Sequence, residues 1–475
     1  MHEDIVYRYP SPSGLQPVSG GGTLRLEQCN EQDKVPDCLF FGSLRQPYLT
    51  ARCLTALSRI VQSRFTLSPE TIQAMHDPII SAGNGTIRFE GFSGCAGIYA
   101  RVDLLPEALN GVFYASGTTN VDFHTPMLDA LGGVRRQDAM QLSVGHNEVV
   151  AGFTDTTVIE RKVPLPERWL KGLTSVQTYL SGADHLGDLD RVQAVKLLQS
   201  VPRGKARADM YLIARGRGLA FSPAAAAAGV PIGGVNRLLL LESLLPFVSR
   251  VRVFAHPSHS ATIWQADLGA MRFTFSLSRE PYRGFSGEGA GLDALLDGLP
   301  AWLPASLPDF MSAVCAANEP FNPHALVEAL LEQEASGAGA TPASGWSGSL
   351  GACLAAMGLL GYDLESGYFY RKLPYKTRRI LALNPRLKNA LKLVDSGKVD
   401  VQLREDGSAE GRVFGSGVWH SVVLDNLERG GSRCTCAWFG TYGLSRGPCK
   451  HILAVKQSLR GADIAARPDP DTPVQ

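Results

Sequence analysis

The feature that most constrains this chain is Cys434-Thr435-Cys436, followed after twelve residues by Cys449-Lys450-His451. Three thiolates and one imidazole make a complete tetrahedral ligand set for zinc, with no position left for water. The spacing also dictates shape. Residues i and i+2 of a straight strand face the same way but lie about 7 Å apart, so Cys434 and Cys436 need a bent knuckle to share an ion. On a regular helix Cys449 and His451 would point about 200° apart, so Cys449 must precede the helix and only His451 can lie within it. Pro448 suits that demand by fixing the backbone just ahead of a helix start. Ile452, Leu453 and Val455 continue at helical spacing with Lys456 on the outer side, which predicts an amphipathic helix over about 449–460. Trp419 to Leu424 reads as a strand, so the expected unit is strand, knuckle, loop, helix. An iron–sulfur cluster fits less well, because such sites normally take four cysteines.

The remaining six cysteines (Cys29, Cys38, Cys53, Cys95, Cys315 and Cys353) are scattered and do not form a disulfide framework. A reducing cytoplasm is therefore the expected compartment, and thiolate zinc sites persist there. No basic segment followed by an apolar core opens the chain, and no window approaches eighteen uninterrupted apolar residues, so neither signal peptide nor membrane span is expected. At 475 residues the chain is long enough for two to four domains, and its net charge of +1 exerts no global pull on nucleic acid or membrane.

Strand-like segments at 86–92, 97–104, 111–116 and 149–163 are followed by helical patterns at 167–180, 189–198 and 236–247. Three more strands follow at 251–255, 262–268 and 271–277, and the absence of strict βαβ order argues for an α+β fold. Short helices are expected at 292–299, 308–317, 323–334 and 350–360, with a flexible Gly/Ala/Ser tract at 336–349. Residues 361–370 read as two short strands around a turn. These elements predict an α+β multidomain chain. It divides into an N-terminal α+β domain (1–245), a β-rich segment (246–290), a helical, winged-helix-like region (291–397), a SWIM-like zinc module (398–460) and a disordered tail (461–475).

Between Arg371 and Lys392 lie Arg371, Lys372, Lys376, Arg378, Arg379, Arg386, Lys388 and Lys392, with no acidic residue among them. Together with Lys450 this run is a candidate surface for phosphates or for an acidic partner protein. Trp438, Phe439 and Tyr442, between the two ligand pairs, could stack on bases or pack the small core of the module. Gly284-Phe285-Ser286-Gly287-Glu288-Gly289 lacks the fifth-position glycine of a nucleophile turn and the Lys-Ser/Thr of a phosphate loop. The run from Ser116 to Phe123 can cap a helix or bind a small ligand. His256 and His259 read as a surface loop. No catalytic constellation stands out, so a non-enzymatic role is expected.

The motif C-x-C-x(n)-C-x-H, with the flanking strand and helix, resembles the SWIM zinc finger over residues 418–458. Further phrases carry the resemblance along the chain: 116–123 (SGTTNVDF), 160–172 (ERKVPLPERWLKG), 284–287 (GFSG) and 445–451 (SRGPCKH). Together they resemble the bacterial SWIM zinc-finger proteins encoded beside a MoxR-type AAA ATPase and a von Willebrand factor A protein. That resemblance implies one structural zinc on Cys434, Cys436, Cys449 and His451, and an adaptor or recognition role with the ATPase and the von Willebrand factor A protein as partners. The alternative is direct DNA or RNA binding through the finger and the basic winged-helix-like region.

Overall fold

The computed structural model describes residues 13–18, 21–27, 38–63, 79–120, 125–145, 147–152, 159–160, 167–204, 208–216, 218–225, 228–258, 260–280, 284–286, 350–371, 373, 384–425, 431–444 and 447–465. Strands dominate its first part. They are β1 (Ser13–Val18), β2 (Gly21–Glu27), β3 (Cys38–Leu44), β4 (Ile79–Gly83), β5 (Thr86–Phe92), β6 (Ile98–Leu104), β7 (Leu109–Phe113), β8 (Gly117–Asn120) and β9 (Met140–Gly145). β10 (Asn147–Gly152), β11 (Ile159–Glu160), β12 (Asp184–Asp190), β13 (Met210–Arg215), β14 (Gly218–Ser222), β15 (Val230–Ile232), β16 (Arg250–Ala255), β17 (Ala261–Asp267) and β18 (Met271–Ser278) follow.

One sheet has eight strands in the order β12-β16-β17-β18-β6-β5-β4-β8, and another has seven in the order β11-β1-β2-β10-β9-β3-β7. In the eight-stranded sheet the alternation of side chains produces two unlike faces. One carries Phe89, Val102, Phe273 and Ala266 in one register row and Ala100, Phe275 and Trp264 in the next. All of them are buried, and the helix Pro47–Gln62 packs against β5 and β6. Each large apolar side chain removed from water here contributes about 1.5–3 kcal/mol.

The opposite face is polar and equally dry. Arg88, Asp103 and Arg272 share one row, and Glu90, Arg101, Thr274 and Gln265 share the next. A hairpin of β19 (Leu360–Asp363) and β20 (Gly367–Tyr370) lies on it. Asp363 accepts from Arg101 and from Arg272, both at 3.0 Å, and Arg371 pairs with Glu90, which also accepts from Tyr99 at 2.7 Å. Arg88 stacks its guanidinium 3.7 Å from the Phe369 ring centre. The hairpin is tied to the helix Glu167–Ser181 as well, since the Tyr362 amide donates to Gln177 Oε1 at 2.8 Å.

One expectation is corrected here, and a second is not confirmed. The β-rich segment 246–290 is not a unit apart: β16–β18 stand between β12 and β6, so the sheet is closed by strands from both sides of residue 245. The winged-helix-like reading is not confirmed, because the hairpin expected as a wing is clamped onto the polar sheet face. The helices expected at 292–299, 308–317 and 323–334, the tract 336–349 and residues 466–475 lie outside the described residues.

The C-terminal part is a four-stranded antiparallel sheet in the order β21 (Val399–Leu403), β22 (Ala409–Gly415), β23 (Val418–Leu424), β24 (Ser432–Cys434). The helix Lys450–Ala465 lies across its inner face, and the helix Pro385–Asp395 packs against that helix. The module therefore takes in residues before 398. Among the described residues no helix is long and apolar enough to cross a membrane.

Candidate metal centre

The bent knuckle that the spacing demands is built at the end of β24. Cys434 pairs with Val422 across the β23–β24 ladder, and the Thr435 amide donates to Ser421 O at 3.1 Å. Thr435 Oγ1 accepts from the Ser421 amide at 3.0 Å, which holds Thr435 outward while both flanking cysteines turn in. Cys436 then caps a short helix, Ala437–Tyr442, its Sγ accepting from the Phe439 amide at 3.4 Å. That helix between the ligand pairs was not foreseen, because six residues are too few to show a period. Cys449 stands one residue before the C-terminal helix and His451 one residue inside it, as the 200° argument requires.

All four side chains are buried, and their ligand atoms lie within 4.8 Å of one another. Cys434 Sγ and His451 Nδ1 are 3.7 Å apart. A tetrahedral zinc with Zn–S about 2.3 Å and Zn–N about 2.0 Å sets such an S···N pair about 3.5 Å apart, so the donors fit one zinc ion. His451 Nε2 is the far ring nitrogen, packed toward Gly415, where a Cβ would come within 2.7 Å of it. His420 stacks on the His451 ring with centroids 4.2 Å apart, and its own Nε2 donates to Gly415 O at 3.2 Å. Gly415 and His420 thus orient the imidazole. Neither carries a signal at metal-ligand spacing, and sequence reasoning missed both.

The thiols are unequal. A hydrogen bond from Cys434 pulls Cys449 down to about 4, helped by His451 and by the Ile452 and His451 amides at the helix start. Cys434 is pushed up by its bond to Cys449 and by burial, and Cys436 is pushed up chiefly by burial. A divalent cation held by these donors would supply the charge that favours all three thiolates.

Around the centre, Ile452, Leu453 and Val455 meet Ala409, Val413, Val422 and Leu424 in one buried cluster, which extends to Leu354 and Leu360. Gly411 is required by this packing, since a Cβ there would lie 2.4 Å from Val455 Cγ2.

Two members of the basic run, Arg371 and Arg386, are engaged within the chain. Arg371 is buried, bound to Glu90 and donating to Leu173 O at 2.9 Å, so it is a core cation and no docking group. Its acidic partner lies 281 positions away, which no local reading of the sequence could supply. Arg386 donates to Pro448 O at 2.8 Å and lies 4.6 Å from the Trp438 ring centre, bracing the segment that enters Cys449. Trp438 in turn contacts Tyr442 at 5.3 Å, and both are half-buried, as is Phe439. Lys388 and Lys392 are exposed and Lys450 is half-buried. Lys372, Lys376, Arg378 and Arg379 lie outside the described residues.

No curated protein matches the chain. Among solved structures, that of proliferating cellular nuclear antigen from Entamoeba histolytica is similar at a TM-score of 0.35 and 11% identity, over 51% of this chain and 98% of that one. A likeness that weak carries no argument. Residues 423–460 match the SWIM zinc finger family, and the match spans the Cys434, Cys436, Cys449 and His451 cluster that fits one structural zinc.

Proposed function

We propose that this chain is a non-enzymatic zinc-binding adaptor or recognition protein, in which the metal holds a binding module in shape. The observation behind this reading is the closed ligand set. Four buried donors converge on one point, so a zinc held there keeps no position for a substrate and contributes folding energy to its module. By the resemblance, the partners are a MoxR-type AAA ATPase and a von Willebrand factor A protein in the cytoplasm. Affinity purification of the zinc-loaded protein from its native cell, with and without nuclease, tests the reading. Stoichiometric capture of the ATPase that survives nuclease supports it. Capture of nucleic acid alone would overturn it.

A second reading, direct DNA or RNA binding, draws on the exposed Lys388 and Lys392 beside the module. It requires affinity that falls steeply with salt. Replacing Arg378 and Arg379 by Ala should then lessen the slope of log K against log salt by about one to two units.

A further inference from the structure

The outer face of the β21–β24 sheet is left uncovered by both helices of the module, and its composition is specific. Phe414 and Trp419 form a cross-strand aromatic pair at its hairpin end, with ring centres 5.4 Å apart. Trp419 is 51% exposed. The Arg412 guanidinium lies 5.0 Å from the Trp419 ring centre. Arg412 closes no ion pair among the described residues, although Asp400 stands opposite it in the ladder. Toward the other end of the face the charges are already matched: Arg404 holds Glu410 at 2.6 Å, and Arg433 holds Asp425 at 3.0 Å.

We propose that this face, centred on Trp419, docks a protein segment presenting a carboxylate beside an apolar side chain; the proposal rests on the binding-protein reading above. A half-exposed tryptophan with an unpaired guanidinium stacked on it, rimmed by satisfied polar groups, has the make-up of an interface hot spot. The carboxylate is specified by Arg412 and by exposed Lys398, whose carbonyl accepts from the Phe414 amide at 2.9 Å. The same charges argue against a nucleic acid strand. Asp400, Glu410 and Asp425 lie on the face with Arg404, Arg412, Arg433 and Lys398, so a row of phosphates would meet three carboxylates. A protein segment places its one acid where the unpaired cation is.

The test uses the full, zinc-loaded chain and an array of synthetic dodecapeptides alternating aspartate with leucine or tryptophan. The same peptides with lysine for aspartate, and a dodecamer of thymidylate, serve as comparison probes. Binding is read by fluorescence anisotropy. The acidic peptides should bind, the lysine versions should not, and Trp419→Thr and Arg412→Gln should each weaken binding roughly tenfold. An aromatic pair that merely stabilises the hairpin would shift unfolding in Trp419→Thr while leaving Arg412→Gln binding intact, and that result would overturn the proposal. So would equal binding of acidic and basic peptides, no peptide binding, or thymidylate binding lost in Trp419→Thr. Zinc content of both variants is measured as the control on folding. If both variants still capture the ATPase at wild-type levels, this face is wrong while the adaptor reading stands.

Discussion

Asp363 offers the sharpest test of how the two parts of the chain are held together. Its side chain is fully buried and accepts from Arg101 and Arg272, from the Glu365 and Ser366 amides at 2.9 Å, and from Ser366 Oγ at 3.1 Å. Asp363→Asn keeps the shape and much of the turn but leaves two buried guanidiniums short of a counter-charge. Removing one partner of a buried pair costs about 3–5 kcal/mol. Because a chain with several sheets need not unfold in one step, the loss is best read locally, by amide hydrogen exchange across β19 and β20. The amides of Arg371 and Leu373, bonded to Leu359 O and Gly358 O, report the same opening. A cost of that size accelerates their exchange by about 10²-fold or more. Glu365→Gln is the control: its carboxylate is 51% exposed, so its contacts with Arg252 and Arg272 contribute less than about 1 kcal/mol. The pH dependence has a definite sign. Burial alone would raise the Asp363 pKa, but Arg101, Arg272 and the two amides outweigh it and hold the group well below the usual carboxylate range. Its contribution is therefore complete above the unfolded value of about 3.9 and is lost as pH falls below it. Wild type should lose hairpin protection in that acid window, and Asp363→Asn should show no such step. Exchange within a few-fold of wild type in Asp363→Asn at neutral pH would refute the reasoning.

Chelation of zinc should make Cys434, Cys436 and Cys449 alkylatable and speed exchange over 418–465. Cys53, whose thiol burial pushes up to about 12, should stay unreactive, as mapped by mass spectrometry. Gly411→Ala should cost about 1–3 kcal/mol by forcing Val455 off the sheet, and should weaken zinc retention against a competing chelator. A fragment ending at residue 245 lacks β16–β18 and should fail to give protected amides in β6 and β12, whereas the full chain protects both.

Much of the local structure is legible in the chain. β5, β16, β23 and the helix Glu167–Ser181 lie within a residue or two of where alternation and helical periodicity put them. The segment Asn236–Phe247, expected as an α-helix, is a 3-10 stretch over Val235–Leu244 instead. It starts after Gly234 in a left-handed conformation, and Arg237 turns its guanidinium back to Gly233 O and across to Ser278 O, both at 2.6 Å. The run from Ser116 to Phe123, read as a cap or ligand loop, supplies β8 at the sheet edge, pairing with β4. Its polar residues hide that role, since β-propensity depends on which neighbours a strand meets.

The metal centre could be inferred from sequence because it is local. Its four donors fall within eighteen positions, and geometry over two residues decides which must bend and which may enter a helix. What holds the rest together is set by pairing at long range. Arg371 reads as one more cation in a basic run until Glu90, 281 residues earlier, is brought against it. Asp363 reads as a turn residue until the polar face of the eight-stranded sheet presents Arg101 and Arg272 to it. A charge carries no mark of burial in the sequence. Only the tertiary structure, by removing water from both partners at once, decides whether that charge belongs to the surface or to the core.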